Sequence, residues 1–281
     1  MVVAVLPNLD KRGSAQVVEK LGVILKKEGI DAYLPDTICS SNFKIAPEEE
    51  LYYLADIIIT IGGDGTIIRY AKRAARDNKA VLGINAGRMG YLANIEQNEL
   101  SLISKLKTKE YFVENRMMLN VEIFENGNKV SEYIALNDAV ITSGFISRII
   151  DISVSVGKDA INYLADGLIV STPTGSTAYS MSAGGPIIDP LTESFCITPI
   201  CSHSLSAKPI LLGANNQILL KSFSKKKAEI YLTVDGRKVC NVKPSTEIKI
   251  TKSDKTVKLI RLNDRSFYKT LSVKFKDGRS F

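Results

Sequence analysis

The chain has 281 residues, enough for two modest domains; 45% are hydrophobic and 24% charged, and no apolar stretch approaches the roughly 18 residues of a membrane span. No membrane partner is therefore predicted, while the formal net charge of +7 favours an anionic one. The four cysteines show no metal-ligand spacing and the N-terminus lacks a signal peptide's basic start, which predicts reduced thiols, a cytoplasmic location and no protein-bound metal.

The N-terminal region alternates strands and helices in the way that predicts a parallel sheet. No G-x-G-x-x-G follows the first strand, so a dinucleotide held in the usual Rossmann manner is not predicted there. The predicted elements are a strand over Val2–Leu6, a helix from Gly13 or Ser14 to Glu28, a strand over Ile30–Leu34, a polar loop over Thr37–Pro47 and a short acidic helix over Pro47–Leu54.

The stretch Ala55–Arg76 is predicted to form a buried strand, a glycine turn and a helix. Gly62-Gly63-Asp64-Gly65-Thr66 follows directly after the apolar run Ala55–Ile61. Glycines let a ligand approach the backbone, and the first amides of a helix capped by Thr66 form an anion site. The P-loop signature is absent, so these glycine turns are expected to hold a phosphate donor.

Asp64 is the unusual residue of this turn, because a carboxylate repels a phosphate unless a metal ion or a hydroxyl proton lies between them. It indicates chemistry on a hydroxyl next to a phosphate, or a magnesium site. The alternative is a tight turn in which Asp64 only caps Thr66 or Ile67, and the sequence leaves this open.

A second glycine turn, Asn85–Leu92, follows the predicted strand Ala80–Ile84. Ligands of open parallel sheets bind at the carboxyl ends of strands, so this turn is expected to face the Asp64 loop. Plain turn geometry explains Gly87 and Gly90 equally well, and both interpretations stay open.

The pattern changes at Phe112, after a predicted helix over Gln97–Lys107 and an exit from the first domain over Thr108–Tyr111. Short β-branched runs between turns then predict an antiparallel β domain. The basic run Lys225–Lys227 has no interleaved aromatic residues, which favours a solvated loop and leaves nucleic acid as a minor alternative. The predicted strands are Met118–Phe124, Glu132–Ala135, Asp138–Thr142, Asp151–Val156, Gly167–Ser171, Gln217–Lys221, Glu229–Val234 and Glu247–Thr251, and Ser266–Lys276 is a final element that packs back on the first domain.

The segment Tyr163–Ser180 carries the densest group of polar side chains. Small hydroxyls donate and accept hydrogen bonds, which suits a purine edge and ribose hydroxyls. Tyr179 offers an aromatic face, and Asp166 can accept from a ribose or a carboxamide. A Ser/Thr-rich turn before a helix is the weaker alternative. The hydroxyl residues are Ser171, Thr172, Thr174, Ser176, Thr177 and Ser180.

Two smaller clusters are less specific. Asn137 and Asp138 are adjacent, so only one of them faces a ligand if they lie in a strand, and an Asn-Asp pair is more often a turn. His203, the only histidine, lies in the Ser-rich stretch Pro199–Pro209. A lone histidine is more often structural, although a contact with a nucleotide or a second subunit stays open. A serine hydrolase is not predicted, because G-x-S-x-G is absent.

In combination these motifs resemble the NAD kinase family, whose members use ATP to convert NAD into NADP. The Gly62–Thr66 motif alone is shared with diacylglycerol- and sphingosine-type lipid kinases and, more loosely, phosphofructokinases, whereas Asp166–Ser180 is specific to NAD kinases. A lipid kinase and a non-catalytic NAD- or NADP-binding regulator are the alternative functions. The other matching segments are Gly83–Asn85 with Gly87 and Gly90–Leu92, Asn137–Asp138, Gly184–Pro186, Pro199 with His203–Leu205, and Val234–Gly236.

The resemblance implies an α/β plus β fold. Its first domain, over residues 1–110 plus about 258–281, is an α/β nucleotide domain of Rossmann-like and phosphofructokinase-like type. The second, over 111–257, is a β-sandwich-like NAD-binding domain, after which the C-terminal segment returns to the first. It also implies NAD and ATP as substrates, Mg²⁺ or another divalent cation with the ATP, and a homodimer or homotetramer. The active site is expected between the domains, with residues borrowed from a neighbouring subunit.

Residue by residue, the resemblance implies that Asp64 contacts the 2′-hydroxyl of the NAD adenosine ribose as general base or orienting group. Asn137 and Asp138 are expected to hold ribose hydroxyls, and Asp166 the nicotinamide side. The remaining NAD-binding positions are Gly65, Thr174, Ser176, Thr177, Ala178, Tyr179 and Ser180, with Ser176, Thr177 and Tyr179 on the adenine side; the phosphate-binding positions are Gly62, Gly63, Gly65, Thr66 and Arg69; and His203 is a candidate subunit contact or ligand.

The sequence departs from the commonest family pattern at three positions. Ser202 stands where proline usually precedes the histidine, Lys208 stands where arginine usually precedes a proline, and Asp138 replaces a more frequent glutamate. None of these changes removes the proposed catalytic group.

Overall fold

The structure, a computed structural model, describes residues 1–87, 89–144, 149–204, 207–223 and 229–276, and its chain falls into two units. Unit 1 comprises Met1–Arg116 and Lys255–Phe281, and unit 2 comprises Met117–Asp254. The lysine run 225–227 and Leu205 lie outside the described residues. Within the ranges given, no helix combines the length and the apolar character needed to cross a bilayer.

Parallel strands form the sheet of unit 1. They are β1 Val2–Pro7, β2 Asp31–Pro35, β3 Lys44–Ala46, β4 Ile57–Gly62, β5 Ala80–Asn85, β6 Ile95–Glu96 and the C-terminal part of β18 Thr246–Arg261. The strand order is β18–β5–β4–β1–β2–β3, with β6 also paired to β5. All six residues of β4 are buried, as expected for a central strand covered on both faces. The α/β class predicted for the first domain is confirmed.

Helices connect these strands and cover the sheet. They are α1 Ser14–Lys27, α2 Glu48–Leu54, α3 Asp64–Arg76, a 3₁₀ helix over Gln97–Ser104 and α4 Lys105–Thr108. Two predictions need correction. The polar stretch Thr37–Pro47 is not all loop, because it contains the short edge strand β3. The helix predicted over Gln97–Lys107 is mostly 3₁₀, starting at a capping box formed by Glu96 and Glu99.

Unit 2 is antiparallel, as predicted. Its strands are β7 Phe112–Glu125, which begins in unit 1, β8 Asn128–Ala135, β9 Asp138–Ser143, β10 Ile150–Val156, β11 Asp159–Ala165, β12 Gly167–Ser171, β13 Ser194–Ile200, β14 Ile210–Gly213, β15 Ile218–Phe223, β16 Ile230–Val234, β17 Arg237–Val242 and the N-terminal part of β18. One sheet has the order β14–β13–β12–β9–β16–β17, and β11–β10–β15–β18 run alongside one another in a second. Side chains of both sheets share one apolar core, which is the arrangement of a β-sandwich.

Four strands of unit 2 were missed by the sequence-based prediction, namely β11, β13, β14 and β17. β11 and β14 each have one strand neighbour in their sheet, and exposed residues interrupt their apolar pattern. β13 contains Pro199, which argues against a strand on sequence grounds, yet the buried strand continues through it. The segment predicted as a final element is the helix α6, Phe267–Lys276, in unit 1.

Candidate functional site

The glycine turn after β4 places Asp64 at the first residue of α3. Gly63 precedes the helix in an extended conformation, and its carbonyl accepts hydrogen bonds from the N–H groups of Thr66 and Ile67. The prediction that Thr66 caps this helix is therefore wrong, since the helix begins two residues earlier. Thr66 is instead buried against Gly62, where a Cβ would lie 2.8 Å from the Thr66 Cβ. Close packing explains why residue 62 is a glycine.

Both carboxylate oxygens of Asp64 accept backbone hydrogen bonds from the second glycine turn. The N–H of Tyr91 donates to Oδ2 at 2.7 Å, and the N–H of Leu92 donates to Oδ1 at 3.0 Å. A Cβ on Gly90 would lie 2.6 Å from the Asp64 Cγ, so glycine is required there for this contact. The prediction that the turn faces Asp64 is confirmed. The carboxylate oxygens of Asp64 accept hydrogen bonds from a segment outside α3, which argues against a role only as a cap of its own helix.

The other residues predicted to bind phosphate surround the N-terminus of α3. The space where a side chain on Gly63 or Gly65 would project is open for at least 4 Å, so a ligand can approach the backbone at both positions. Arg69, one turn further along the helix, is exposed, and its guanidinium lies 5.1 Å from the centre of the Tyr70 ring. A 13-residue helix whose N-terminal glycines leave the backbone open to a ligand, and which carries a cation in its first turns, has the character of an anion site.

In unit 2, Asn137 and Asp138 are held by a residue to which the sequence analysis gave no role. The carboxylate of Asp235 accepts hydrogen bonds from the N–H groups of Leu136 at 3.1 Å, Asn137 at 2.8 Å and Asp138 at 3.2 Å. Asp235 lies in the two-residue turn between β16 and β17 with φ 47°. The Asp235-Gly236 dipeptide is a sequence signal for such a hairpin. The amides that bond to the Asp235 carboxylate lie about a hundred residues away, so no local sequence pattern predicts these hydrogen bonds.

If Asn137 and Asp138 bind NAD, as the family resemblance implies, we expect Asp235→Asn to destabilise unit 2 and to raise the KM for NAD several-fold. The amide oxygen can replace Oδ1, but its NH₂ then faces the N–H of Leu136, which loses its partner at a cost of about 1–3 kcal/mol. Thermal unfolding and initial rates measure the two effects. Asp189→Asn is the matched control, because Asp189 accepts a turn hydrogen bond from the N–H of Leu191 that asparagine reproduces. Unchanged unfolding and KM in Asp235→Asn would contradict this role.

The hydroxyl-rich segment after β12 contains a 3₁₀ helix, Thr174–Thr177, and the short helix α5, Tyr179–Ser182. Thr172 donates from Oγ1 to the carbonyl of Leu136 at 2.6 Å and accepts from the N–H of Gly175 at 3.0 Å. A Cβ on Gly175 would lie 2.6 Å from the carbonyl carbon of Asn137. The loop therefore packs directly on the Asn137 peptide, which brings two of the predicted clusters together.

Two of the hydroxyls predicted to contact a ligand are used inside the protein. Ser176 is buried, donates to the carbonyl of Pro173 at 2.7 Å and accepts from the N–H of Ile188 at 3.0 Å. Ser180 is also buried and shares a 2.9 Å hydrogen bond with Thr198. These two side chains fix the loop's conformation, and their predicted contacts with a ligand stay predictions.

Tyr179 is the exposed aromatic residue of this loop, and it lies near three groups that carry or can carry negative charge. Burial of part of the phenol raises its pKa, and nearby Cys201, Asp138 and Asp166 raise it further. Asp166 sits between β11 and β12, where its N–H donates to the carbonyl of Ile200 and its carbonyl accepts from Ser143. The carboxyl groups of Asp138 and Asp166 thus belong to the same neighbourhood as the Tyr179 ring.

A cavity of about 620 Å³ opens beside Tyr179 in unit 2. Tyr179, Ser182, Ala183, Pro199, Ile200 and Cys201 are among its lining residues. This volume lies in the range of small-molecule and cofactor pockets. His203 is exposed near this region, and its N–H donates to the carbonyl of Leu164 at 2.9 Å. Over the residues that the structure describes, no three histidine, cysteine or acidic side chains cluster as metal ligands would.

Comparison with known proteins relates both units of the chain to one family. Sequence models of the ATP-NAD kinase N-terminal domain and the ATP-NAD kinase C-terminal domain match residues 3–111 and 136–262. The NAD kinase of Natranaerobius thermophilus is 38% identical over 283 residues, which cover 99% of this chain and 98% of that protein. The NAD kinase of Carboxydothermus hydrogenoformans is 36% identical over 98% of this chain and 99% of its own.

Solved structures share the fold. Yeast NADH kinase complexed with NADH superposes with a TM-score of 0.87 at 21% identity, covering 100% of this chain and 89% of that one. An NAD kinase from Archaeoglobus fulgidus in complex with ATP gives 0.76 at 27% identity and covers 100% of both chains. The match extends far beyond the glycine–aspartate motif shared with lipid kinases, and that alternative is set aside. The chain belongs to the NAD kinase family.

Proposed function

We propose that the chain transfers the terminal phosphoryl group of Mg-ATP to the 2′-hydroxyl on the adenosine ribose of NAD, which yields NADP. The observation that carries this proposal is the Asp64 carboxylate, fixed by the Tyr91 and Leu92 amides at the N-terminus of α3 in a chain that aligns with NAD kinases along its length. An oriented carboxylate beside an anion site suits a hydroxyl that attacks a phosphate.

Asp64 is assigned the role of general base or of the acceptor that orients the hydroxyl. Phosphoryl transfer depends mainly on positioning and on neutralising charge, because its transition state is loose. The donor phosphates are assigned to the amides of Gly63 and Gly65, with Arg69 as a nearby cation. Thr66 and Gly62 are assigned to shaping this turn. Magnesium would enter as part of the Mg-ATP substrate and would offset the negative charge of the phosphates.

The NAD contacts are assigned to unit 2. Asn137 and Asp138 are proposed to bind ribose hydroxyls, Tyr179 to pack on the adenine and Asp166 to accept from the nicotinamide carboxamide. Thr177 and Ala178 are placed on the adenine side, since both are half-buried residues of the loop that leads to Tyr179. Thr174, Ser176 and Ser180 are buried, so we assign them to holding this loop in shape.

Incubation with ATP, Mg²⁺ and NAD, followed by detection of NADP with an NADP-specific dehydrogenase, tests the proposal. Steady production of NADP that requires both ATP and NAD is expected. A folded protein that binds NAD but yields no NADP would instead be the non-catalytic regulator. The homodimer or homotetramer and the cytoplasmic location stay predictions; light scattering after size-exclusion chromatography measures the first.

A further inference from the structure

Asp64 is oriented by the second glycine turn, in which residues 86, 87, 91 and 92 lie in bends. The Asp64 carboxylate takes its hydrogen bonds from two successive amides in this turn. The position of the carboxylate therefore depends on whatever fixes the Tyr91 and Leu92 peptides. That support comes from the segment with which the chain returns to unit 1.

Arg261, at the end of β18, reaches the peptide that follows Leu92. Its Nη1 donates to the carbonyl of Leu92 at 3.0 Å, while Nε and Nη2 each lie 2.9 Å from Oε2 of Glu114. The side chain of Arg261 is 9% exposed. A buried guanidinium is a rigid planar fork, so anchoring two of its nitrogens on a carboxylate fixes where the third points.

Glu114 is itself a well-defined anchor. Its Oε2 also accepts a hydrogen bond from Nη2 of Arg116 at 2.6 Å. Burial alone would raise the pKa of the Glu114 carboxyl, but the two arginines outweigh burial and lower it. Glu114 is consequently ionised at neutral pH, where the Arg261 guanidinium has a charged partner.

The residues after Arg261 hold the other side of the same turn. The N–H of Leu262 donates to Oδ1 of Asn94 at 2.6 Å. Nδ2 of Asn94 donates a hydrogen bond to Oδ1 of Asn263 at 3.0 Å, and Nδ2 of Asn263 donates one to the carbonyl of Asn94 at 3.2 Å. Asn94 is 2% exposed. The Leu92–Asn94 backbone is therefore tied to the returning chain at both ends.

We propose that Arg261 is a positioning residue for the phosphoryl-transfer step, acting through the Leu92 peptide on the orientation of the Asp64 carboxylate. This inference rests on the proposed function of Asp64. The connection runs from Glu114 through the Arg261 guanidinium to the Leu92 carbonyl, and from the Leu92 amide to Asp64 Oδ1. Arg261 does not touch the carboxylate itself, so its loss leaves the acid present but badly oriented.

We expect Arg261→Gln to lower kcat roughly a hundredfold with little change in the KM for NAD, because a misplacement of about 1 Å costs a factor of this order. Arg261→Lys keeps the positive charge but carries its N–H donors on a single nitrogen instead of a planar fork, and it should recover part of the loss. Arg265→Gln is the matched control, since Arg265 belongs to the same segment and pairs with Glu96 and Glu99. Arg265→Gln should keep kcat within about threefold of wild type if the hydrogen bond from Arg261 to the Leu92 carbonyl is what positions Asp64.

A double-mutant cycle with Asp64→Asn separates positioning from a general loss of structure. If Arg261 acts through Asp64, its substitution should cost little further kcat once Asp64 is asparagine. The positioning role of Arg261 would be overturned, without affecting the proposed function, if the double variant lost kcat by the product of the two single losses. It would also be overturned if Arg261→Gln and Arg261→Lys kept the wild-type kcat. Full turnover of the single variant Asp64→Asn would overturn the proposed function of Asp64, and the Arg261 inference with it. NAD affinity within about tenfold of wild type in all variants, measured by calorimetry, is the expected sign that folding and binding are intact.

Discussion

Replacing Asp64 by asparagine is expected to lower the turnover number for NADP formation roughly a hundred- to ten-thousandfold, the range that general acid–base assistance contributes. Asparagine has nearly the same shape but cannot take up the proton of the attacking hydroxyl. Its NH₂ group would also face the amide of Tyr91 or Leu92, so one of the two orienting hydrogen bonds is lost. NAD affinity should stay within about tenfold, because in the proposed site most NAD contacts come from unit 2.

Turnover measured through an NADP-specific dehydrogenase, with NAD binding measured by calorimetry, checks this expectation. Asp77→Asn is a suitable control, because it removes a carboxylate from the other end of α3, where Asp77 pairs with Arg73 at 2.6 Å. That surface pair contributes little, so activity should be close to wild type. Wild-type turnover in Asp64→Asn would show that the carboxylate does not act in the reaction.

The second large effect is expected from a single methyl group at Gly90. In Gly90→Ala the new Cβ would lie 2.6 Å from Cγ and 2.8 Å from Oδ2 of Asp64, well inside van der Waals contact. The carboxylate or the turn must move, and the two hydrogen bonds from Tyr91 and Leu92 cannot both keep their geometry. We expect kcat to fall roughly a hundredfold, as for other misplacements of about 1 Å.

Gly87→Ala provides a control in the same turn. A Cβ at residue 87 meets open space, so this substitution adds the same methyl group without displacing Asp64. Its kcat should remain within about threefold of wild type, since a methyl group in open space strains nothing. Equal losses in the two variants would attribute the effect to the turn's flexibility rather than to the contact with Asp64. Thermal unfolding of both proteins shows whether either change destabilises unit 1.

The prediction from sequence succeeded where a general rule connects chain position to place in the fold. The apolar run ending at Ile61 and the one ending at Ile84 were both assigned to a parallel sheet, and the carboxyl ends of such strands meet at one edge. This rule was sufficient to place Gly90 and its neighbours opposite Asp64. It does not predict the first residue of α3, because both a glycine and Thr66 are suitable residues to precede a helix.

The hydroxyl-rich loop shows why other features were beyond reach. Serine and threonine bond equally well to a ligand and to nearby backbone, and composition does not distinguish the two. Only the structure shows that Ser176 and Ser180 bond within the protein. Asp235 and Arg261 were missed for a related reason. Their partners lie about a hundred or more residues away, so no local spacing could reveal them.

The division of unit 1 between two chain segments has a consequence during synthesis. Residues 117–254 leave the ribosome before Arg261 and Asn263, which hold the turn around Leu92 and Asn94. A nascent chain thus contains every residue of unit 2 while unit 1 still lacks the strand that pairs with Ala80 and Val81. The strands of unit 1 that precede residue 117 therefore gain their β18 neighbour only after all of unit 2 has been synthesised.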